Sequence, residues 1–134
     1  MVMLDTNICI YILKRRPIEV LSKFKSTSDI SISTVVYGEL CYGVTRSPKE
    51  RQQSRKEELL RFVSLLQVVD WTSEAAEEYA LIRSDLQAKG TPIGNMDLLI
   101  AAHAKSRNAV LVTNNLKEFN RVSGLTCENW VKPS

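Results

Sequence analysis

Short apolar runs suited to buried β-strands alternate along this chain with longer segments of helical pattern. Five runs are predicted as strands: VML (2–4), ISIS (30–33), QVVDW (67–71), AVLVT (109–113) and, at a sheet edge, LTCEN (125–129). The helical segment MDLLIAAHAKSRN (96–108) is apolar nearly all round, so we expect it to be deeply buried. Alternation of strands and helices predicts an α/β fold with a mostly parallel central sheet flanked by helices.

The length of 134 residues suits one domain, predicted to span residues 1–134. No apolar stretch approaches the roughly 20 residues that cross a bilayer, and the N-terminus lacks the pattern of a signal peptide. The three cysteines, Cys9, Cys41 and Cys127, are odd in number and match no zinc-site spacing. We therefore expect a cytoplasmic protein with no membrane partner.

The net charge of +3 is too small to identify a nucleic-acid partner by itself. The basic residues are nevertheless concentrated in two clusters: Lys14, Arg15 and Arg16, and then Arg46, Lys49, Arg51, Arg55 and Lys56. Each cluster is either a solvated helix face or a surface that contacts a phosphate backbone. The residues considered as RNA contacts are Lys14, Arg15, Arg16, Arg51, Arg55 and Lys56.

Three acidic residues lie in apolar surroundings. Asp5 directly follows the first strand, Glu39 lies within VVYGELCYG, and Asp97 lies in the first turn of the most apolar helix. Asp5 can form a turn, with Thr6 or Asn7 capping the next helix, and Asp97 can favour the helix dipole. Glu39 has no comparable structural explanation, because a carboxylate among apolar helix residues should be paired or exposed.

The predicted topology can bring these acids together. Ligands of open parallel sheets bind beyond the carboxyl ends of the strands, where Asp5 and the run Thr113, Asn114 and Asn115 are expected. Two carboxylates about 4 Å apart repel by roughly 4 kcal/mol at an effective dielectric near 20. Their pKa values must therefore rise, or a cation must lie between them.

The oxygen ligands expected there select a hard cation. The set Asp5, Glu39, Asp97 and Asn115 contains no cluster of His or Cys, which favours Mg²⁺ or Mn²⁺. Hydrolysis of a phosphodiester is the reaction that such a site supports.

Four stretches of the chain resemble, in order, the motifs of PIN-domain ribonucleases, and more narrowly of VapC-type toxins of toxin–antitoxin pairs. MLDTNICIYIL resembles the first motif and ISISTVVYGELCYGV the second. GTPIGNMDLLIAAHAKSRNAVLVTNNLKEFNRVSGLTCENW resembles the third and fourth, so the resemblance covers nearly the whole chain. It implies the three-layer PIN-like fold.

The resemblance also implies roles for individual residues. Asp5, Glu39 and Asp97 match the three acids that hold Mg²⁺, for which Mn²⁺ can substitute. The supporting positions, which order the site through hydrogen bonds or end the late strand, are matched by Thr6, Asn7 and Thr113. The fourth family position is often aspartate, whereas this chain has Asn115, which adds no charge and puts a tightly held second metal in question. Glu118 lies on the face of a short helix from which it can compensate.

The family cleaves RNA, and the toxins most similar in pattern cut structured RNA, notably initiator tRNA in its anticodon loop. Such toxins usually form homodimers and are inhibited by a cognate antitoxin, through which the complex binds operator DNA. The resemblance implies the same partners here.

Two other functions remain open at this stage. Asp5 could be a phosphoacceptor, as in aspartyl phosphotransferases or receiver domains, with Lys117 as the required lysine; the second acid beside Asp5 is missing. Alternatively, the chain could be a PIN-fold binding module with weak or no catalysis. The single histidine, His103, is expected to be a packed or interface residue rather than a general base, because it does not share a helix face with Asp97.

Overall fold

A five-stranded parallel sheet forms the centre of the protein in the computed structural model, which describes residues 1–133. Its strands are β1 (Val2–Leu4), β2 (Ile30–Ser33), β3 (Gln67–Val69), β4 (Val110–Val112) and β5 (Thr126–Glu128). They lie in the order β3-β2-β1-β4-β5, and every neighbouring pair is parallel. The predicted α/β fold is confirmed, with each strand inside its predicted run and LTCEN at an edge.

Seven helices in the described range connect these strands. They are α1 (Thr6–Lys14), α2 (Ile18–Ser26), α3 (Thr34–Thr45), α4 (Lys49–Val63), α5 (Ser73–Ala88), α6 (Asn95–Ser106) and α7 (Leu116–Phe119). Because parallel crossovers are almost always right-handed, α1–α4 lie on one face of the sheet, and α5 and α6 lie on the other. In agreement, α1 packs against α2, α3 and α4, and α5 packs against α6.

The hydrophobic core lies on both faces of the sheet. The strands contribute fully buried side chains such as Leu4, Ile32 and Leu111. Helix α6 buries six residues, including His103, which confirms both the predicted burial of this helix and the packed position of the histidine. Within residues 1–133, no helix is long and apolar enough to cross a membrane. The predicted domain ends at Ser134, which lies outside the described residues.

The start of α1 differs from the prediction. Asp5, not Thr6 or Asn7, is the N-cap: its backbone is extended (φ −79°, ψ 174°) and its side chain accepts the Ile8 N–H. The helix therefore begins at Thr6, inside the polar triplet. A carboxylate is among the best caps because it satisfies an unpaired amide of the first turn. Side chains also cap two later helices, with Ser33 capping α3 and Thr72 capping α5.

The strand order predicts a crevice at the carboxyl ends of β1 and β4. The chain runs from β1 outward through β2 to β3 and then returns to β4 on the other side of β1. The direction of winding thus reverses between β1 and β4. In open α/β sheets this reversal is where ligands bind, beyond the carboxyl ends of the two strands.

Candidate active site

Asp5 and Thr113 lie side by side at this crevice. Asp5 directly follows β1 and Thr113 directly follows β4, in a register that pairs Leu4 with Val112. The Asp5 backbone N–H donates to the Val112 carbonyl oxygen at 3.0 Å. Parallel pairing thus fixes the separation of the two polar side chains.

Asp5 is almost fully buried, with 5% of its surface exposed. Its Oδ1 accepts the Ile8 N–H at 2.9 Å, and the Thr113 hydroxyl and the Asn7 N–H also hydrogen-bond to the carboxylate. Burial raises the pKa of Asp5, these hydrogen bonds lower it, and the charge of Glu39 raises it again. The result is a pKa above the ordinary value, and a side chain that cannot rotate away from the crevice.

Glu39 reaches the same region from the second turn of α3. It is half-buried, and its Oε1 accepts a hydrogen bond from the Thr6 hydroxyl in the first turn of α1. The carboxylate expected to need a partner therefore has one. This contact joins α1 to α3 and orients Glu39 beside Asp5.

Asp97 and Glu118 complete the acidic group from the other side. Asp97 lies in the first turn of α6 and Glu118 lies on α7, with their carboxyl groups within hydrogen-bonding reach. Burial and this hydrogen bond, followed by the charges of Glu118, Asp5 and Glu39, raise the pKa of Asp97 to about 7. The charges of the other three carboxyl groups therefore act on Asp97, and Asp5, Glu39 and Asp97 lie in one region.

Asn115 holds Glu118 in place. The Asn115 side-chain Nδ2 donates to Glu118 Oε2 at 2.8 Å, and its backbone N–H donates to Thr113 Oγ1 at 2.9 Å. The asparagine at the fourth family position is thus linked to both the strand end and the compensating glutamate. Ligation of a metal by Asn115 or Glu118 stays a prediction.

The donor set fits Mg²⁺ although the carboxylates are not clustered tightly. Among residues 1–133, no three Asp, Glu, His or Cys side chains are close enough to enclose one metal ion. Mg²⁺ does not require such a cage, because it keeps several waters and binds through one or two carboxylates. Besides burial and the hydrogen bond to Glu118, the negative charges of Glu118, Asp5 and Glu39 raise the pKa of Asp97, and a divalent cation would relieve this repulsion.

The two basic clusters lie in different places. Lys14, Arg15 and Arg16 are exposed at the end of α1, about 13 Å along the axis from the end that Asp5 caps, at 1.5 Å per residue. The structure therefore does not bring them to the acids. On α4, Arg51 and Lys56 are exposed. Arg55 is also exposed, and its guanidinium donates to Ser47 Oγ at 2.7 Å.

Asn114 belongs to a hydrogen-bonded network that the sequence-based prediction omitted. Its Nδ2 donates to the Tyr11 hydroxyl at 3.3 Å, and its Oδ1 accepts from Asn129 Nδ2 at 3.2 Å. The network ties α1 to the segment after β5 beside the crevice. The available signal was position alone, since Asn114 directly follows Thr113 at the strand end.

A groove with a volume of about 820 Å³ lies away from the acids, between α1, α2 and α4. Aliphatic and aromatic side chains line it, among them Leu21, Phe24 and Phe62. The groove also has charged residues around it: Lys14, Arg15, Lys25, Arg61 and Glu58. An apolar floor with a largely cationic rim suits an amphipathic segment with acidic residues.

Comparison with protein families and curated proteins gives concordant matches. The family model described as PIN domain matches residues 2–125. Ribonuclease VapC2 of Rickettsia felis is 44% identical over 136 residues, an alignment that spans 97% of this chain and 98% of the relative. The tRNA(fMet)-specific endonuclease VapC of Salmonella typhimurium is 43% identical over 130 residues and 96% of each chain.

A solved structure agrees with these matches. The VapBC2 complex of Rickettsia felis, bound to a DNA fragment from its promoter, contains a chain that superposes with a TM-score of 0.88 at 41% identity. The superposition covers 98% of this chain and 100% of that chain. The backbone likeness therefore includes every element that carries a residue of the acidic crevice.

Proposed function

The chain belongs to the PIN-domain family and is similar along its length to VapC ribonucleases, and from this premise we propose that it is an Mg²⁺-dependent endoribonuclease toxin. It hydrolyses phosphodiester bonds of RNA, and Mn²⁺ can replace Mg²⁺. The observation that carries this proposal is the convergence of Asp5, Glu39, Asp97 and Glu118 at the crevice, with the pKa of Asp97 raised to about 7. A single domain carries the whole activity.

The residues of the chain have separate tasks in this reaction. Asp5 is a fixed carboxylate, because the Ile8 amide and the Thr113 hydroxyl hold it. Thr6 orients Glu39. The proposed ligands of the ion are Asp5, Glu39 and Asp97. Glu118 and the side-chain carbonyl oxygen of Asn115 are further candidate ligands. When bound, Mg²⁺ lowers the pKa of water and stabilises charge on phosphate oxygens.

Asp97 and Glu118 also provide a place for a proton. Two carboxyl groups that share a hydrogen bond hold one proton between them until a cation or a higher pH removes it. With the pKa of Asp97 at about 7, this proton is lost near neutral pH. The pair is therefore suited to release its proton when the crevice binds a cation and a phosphate.

Structured RNA, and initiator tRNA in particular, is the substrate we infer. A Salmonella typhimurium relative 43% identical to this chain is named a tRNA(fMet)-specific endonuclease, which supports this choice. The test compares purified initiator and elongator methionine tRNAs as substrates. Preferred cleavage of the initiator within its anticodon loop is expected, and equal cleavage of both would overturn the tRNA assignment without affecting the ribonuclease proposal.

A cognate antitoxin is the protein partner we propose. The similar Rickettsia felis chain was solved as a VapBC2 complex on promoter DNA, which supports an antitoxin that inhibits the toxin and carries it to operator DNA. The groove between α1, α2 and α4 suits an acidic amphipathic segment of that antitoxin. The toxin itself forms a homodimer and acts in the cytoplasm, where its RNA substrate is found.

A further inference from the structure

An exposed aromatic–cation pair continues the acidic crevice along α3. Tyr42 lies one helical turn beyond Glu39, and 63% of its surface is exposed. The Arg46 guanidinium lies over the Tyr42 ring, 5.4 Å from its centroid. Side chains three and seven residues apart share a helix face. Glu39, Tyr42 and Arg46 therefore form one stripe that begins at the acids.

Two glycines leave the neighbouring surface of α3 bare. A Cβ added at Gly38 or Gly43 would meet no atom within 4 Å. Glycine weakens a helix interior relative to alanine, and the described residues do not require it sterically at either position. The backbone beside Glu39 is thus open to close approach by another molecule, which is a common role of glycine.

We propose that Tyr42 and Arg46 position the RNA, an inference that rests on the proposed ribonuclease function. The Tyr42 ring stacks on an unpaired base next to the scissile phosphate, and Arg46 pairs with a neighbouring phosphate. Helical side chains lean toward the helix N-terminus, so the ring is directed back toward Glu39. Stacking on aromatic rings is the usual way in which proteins hold single-stranded bases.

The composition of this face favours RNA over an apolar protein partner. The aliphatic residues Val36 and Leu40 of α3 are buried in the core. The most exposed aliphatic side chains lie elsewhere: Leu65 between α4 and β3, Ile18 on α2 and Leu81 on α5. The exposed face of α3 instead offers a flat ring, a cation and bare backbone. Arg46, two helical turns beyond Glu39, also offers a favourable charge to a polyanionic ligand that the carboxylates would otherwise repel.

The test uses steady-state cleavage of an oligoribonucleotide with one cut site. Tyr42→Leu is expected to raise KM by about 5- to 100-fold with kcat changed by less than about threefold, because stacking of one base is lost. Tyr42→Trp keeps the stacking surface and is expected to retain the KM of the unmodified protein. An abasic nucleotide at the stacked position should raise KM for the unmodified protein and have no further effect on Tyr42→Leu.

Gly43→Ala separates folding from RNA binding. The added methyl group meets nothing in the chain, so the variant should raise Tm by about 2–4 °C through improved helix propensity. It should nevertheless lower kcat/KM, because the methyl group obstructs the approach of RNA. A raised Tm with an unchanged kcat/KM would overturn the close approach of RNA to this surface.

Distinct outcomes overturn distinct claims. An unchanged KM in Tyr42→Leu, together with loss of all cleavage in Asp5→Asn, overturns the positioning role and leaves the ribonuclease function intact. A Tyr42→Leu variant that becomes monomeric while keeping its KM for RNA also overturns it and assigns this face to a second copy. Failure of the unmodified protein to cleave any RNA with Mg²⁺ overturns the ribonuclease function, and this inference with it.

Discussion

The carboxyl groups of Asp97 and Glu118 lie within hydrogen-bonding reach, although the two residues belong to helices on either side of β4 in the sequence. Asn115 Nδ2 also donates a hydrogen bond to Glu118 Oε2 at 2.8 Å. Carboxylates can share such a bond only when one of them is protonated. Protonation of Asp97 and binding of a cation both relieve the repulsion between these carboxylates, so binding of a cation is expected to release the proton.

Mg²⁺ affinity is expected to rise with pH between about 6 and 8. The pKa of Asp97 is raised to about 7, so below that value the ion must displace a proton, which weakens binding. Titration calorimetry in buffers of different ionisation enthalpy measures both the affinity and the number of protons released. Release of close to one proton at pH 6 and little at pH 8 is expected; an affinity independent of pH would contradict the account.

The stability of the metal-free protein should show the opposite trend. The folded carboxyl of Asp97 keeps its proton up to about pH 7, whereas an unfolded aspartate loses it near pH 4. Because the folded state binds more protons in this window, Asp97 makes the free energy of unfolding fall as pH rises from 4 to 7. Comparing urea unfolding of Asp97→Asn with the unmodified protein isolates this contribution, since the variant should lack this part of the slope.

Glu118→Gln is expected to return the pKa of Asp97 toward its ordinary range. Burial continues to raise the Asp97 pKa, but glutamine, which preserves the size of the side chain, removes the charge of Glu118 that raises it further. We expect Mg²⁺ affinity to fall by about 10- to 100-fold, as for other groups that support metal sites. An NMR titration of the Asp97 carboxyl carbon provides the measurement, and Glu128→Gln at an exposed position of β5 is the matched control. An Asp97 pKa that stays near 7 in Glu118→Gln would exclude this relationship.

Replacement of His103 by Leu should leave the free energy of unfolding at pH 7 unchanged or raise it by up to about 1 kcal/mol. Apolar replacement of a buried polar group can be neutral or stabilising. His103 is completely buried, and neither ring nitrogen has a hydrogen-bond partner within the described residues. Burial, then the charge of Arg107, lower its pKa against the opposing effect of Asp70. The unfolded state therefore takes up the proton first, and the native protein loses stability as pH falls below about 6.5.

Chemical denaturation at pH 7 and pH 5 measures this contribution. The difference in stability between the two pH values should be smaller in His103→Leu than in the unmodified protein. Equal differences would show that the pKa of His103 is the same in the native and unfolded states.

Neutralising Arg51, Arg55 and Lys56 to Gln should flatten the salt dependence of RNA binding. Each cation that contacts a phosphate contributes about 0.7 to the slope of log K against log salt for single strands, so a decrease of up to about 2 is expected. Neutralising Lys14, Arg15 and Arg16, at the far end of α1 beside the groove, should leave that slope unchanged and weaken antitoxin binding. Both sets of substitutions are made in the Asp5→Asn variant, so that RNA binding can be measured at several salt concentrations without cleavage. If both sets give the same slope, the basic residues of α4 are a solvated helix face and do not contact RNA.

Local sequence signals predicted the fold well because they agree with one another. The β-branched and apolar runs that form β1, β2 and β4 are bounded by Ser, Thr or Asp, which end strands and cap helices for the same physical reason. The wrong prediction of Thr6 or Asn7 as the N-cap of α1 arose because several neighbouring residues can serve as caps. All three residues Asp5, Thr6 and Asn7 can cap a helix. In the structure Asp5 accepts the Ile8 N–H, whereas the Thr6 hydroxyl donates to Glu39.

The acidic crevice was predictable only in outline. Strand ends and a carboxylate in an apolar helix indicated Asp5, Glu39 and Asp97. The contact of Asn115 with Glu118 and the pairing of Glu118 with Asp97 depend on how α7 packs after β4. No residue pattern encodes that packing, so the sequence alone suggested Glu118 as a compensating acid without its partners.

The most direct measurement of the central claim is cleavage of total bacterial RNA by the purified protein, with Mg²⁺ or with excess chelator, beside Asp5→Asn and Asp97→Asn. Asparagine at position 5 keeps the helix cap, and both variants should fold while losing at least about 100-fold in rate, because each removes charge that stabilises the reaction. The account predicts discrete cuts that require Mg²⁺ and disappear in both variants. Cleavage that survives chelation, or that survives both substitutions, would contradict it.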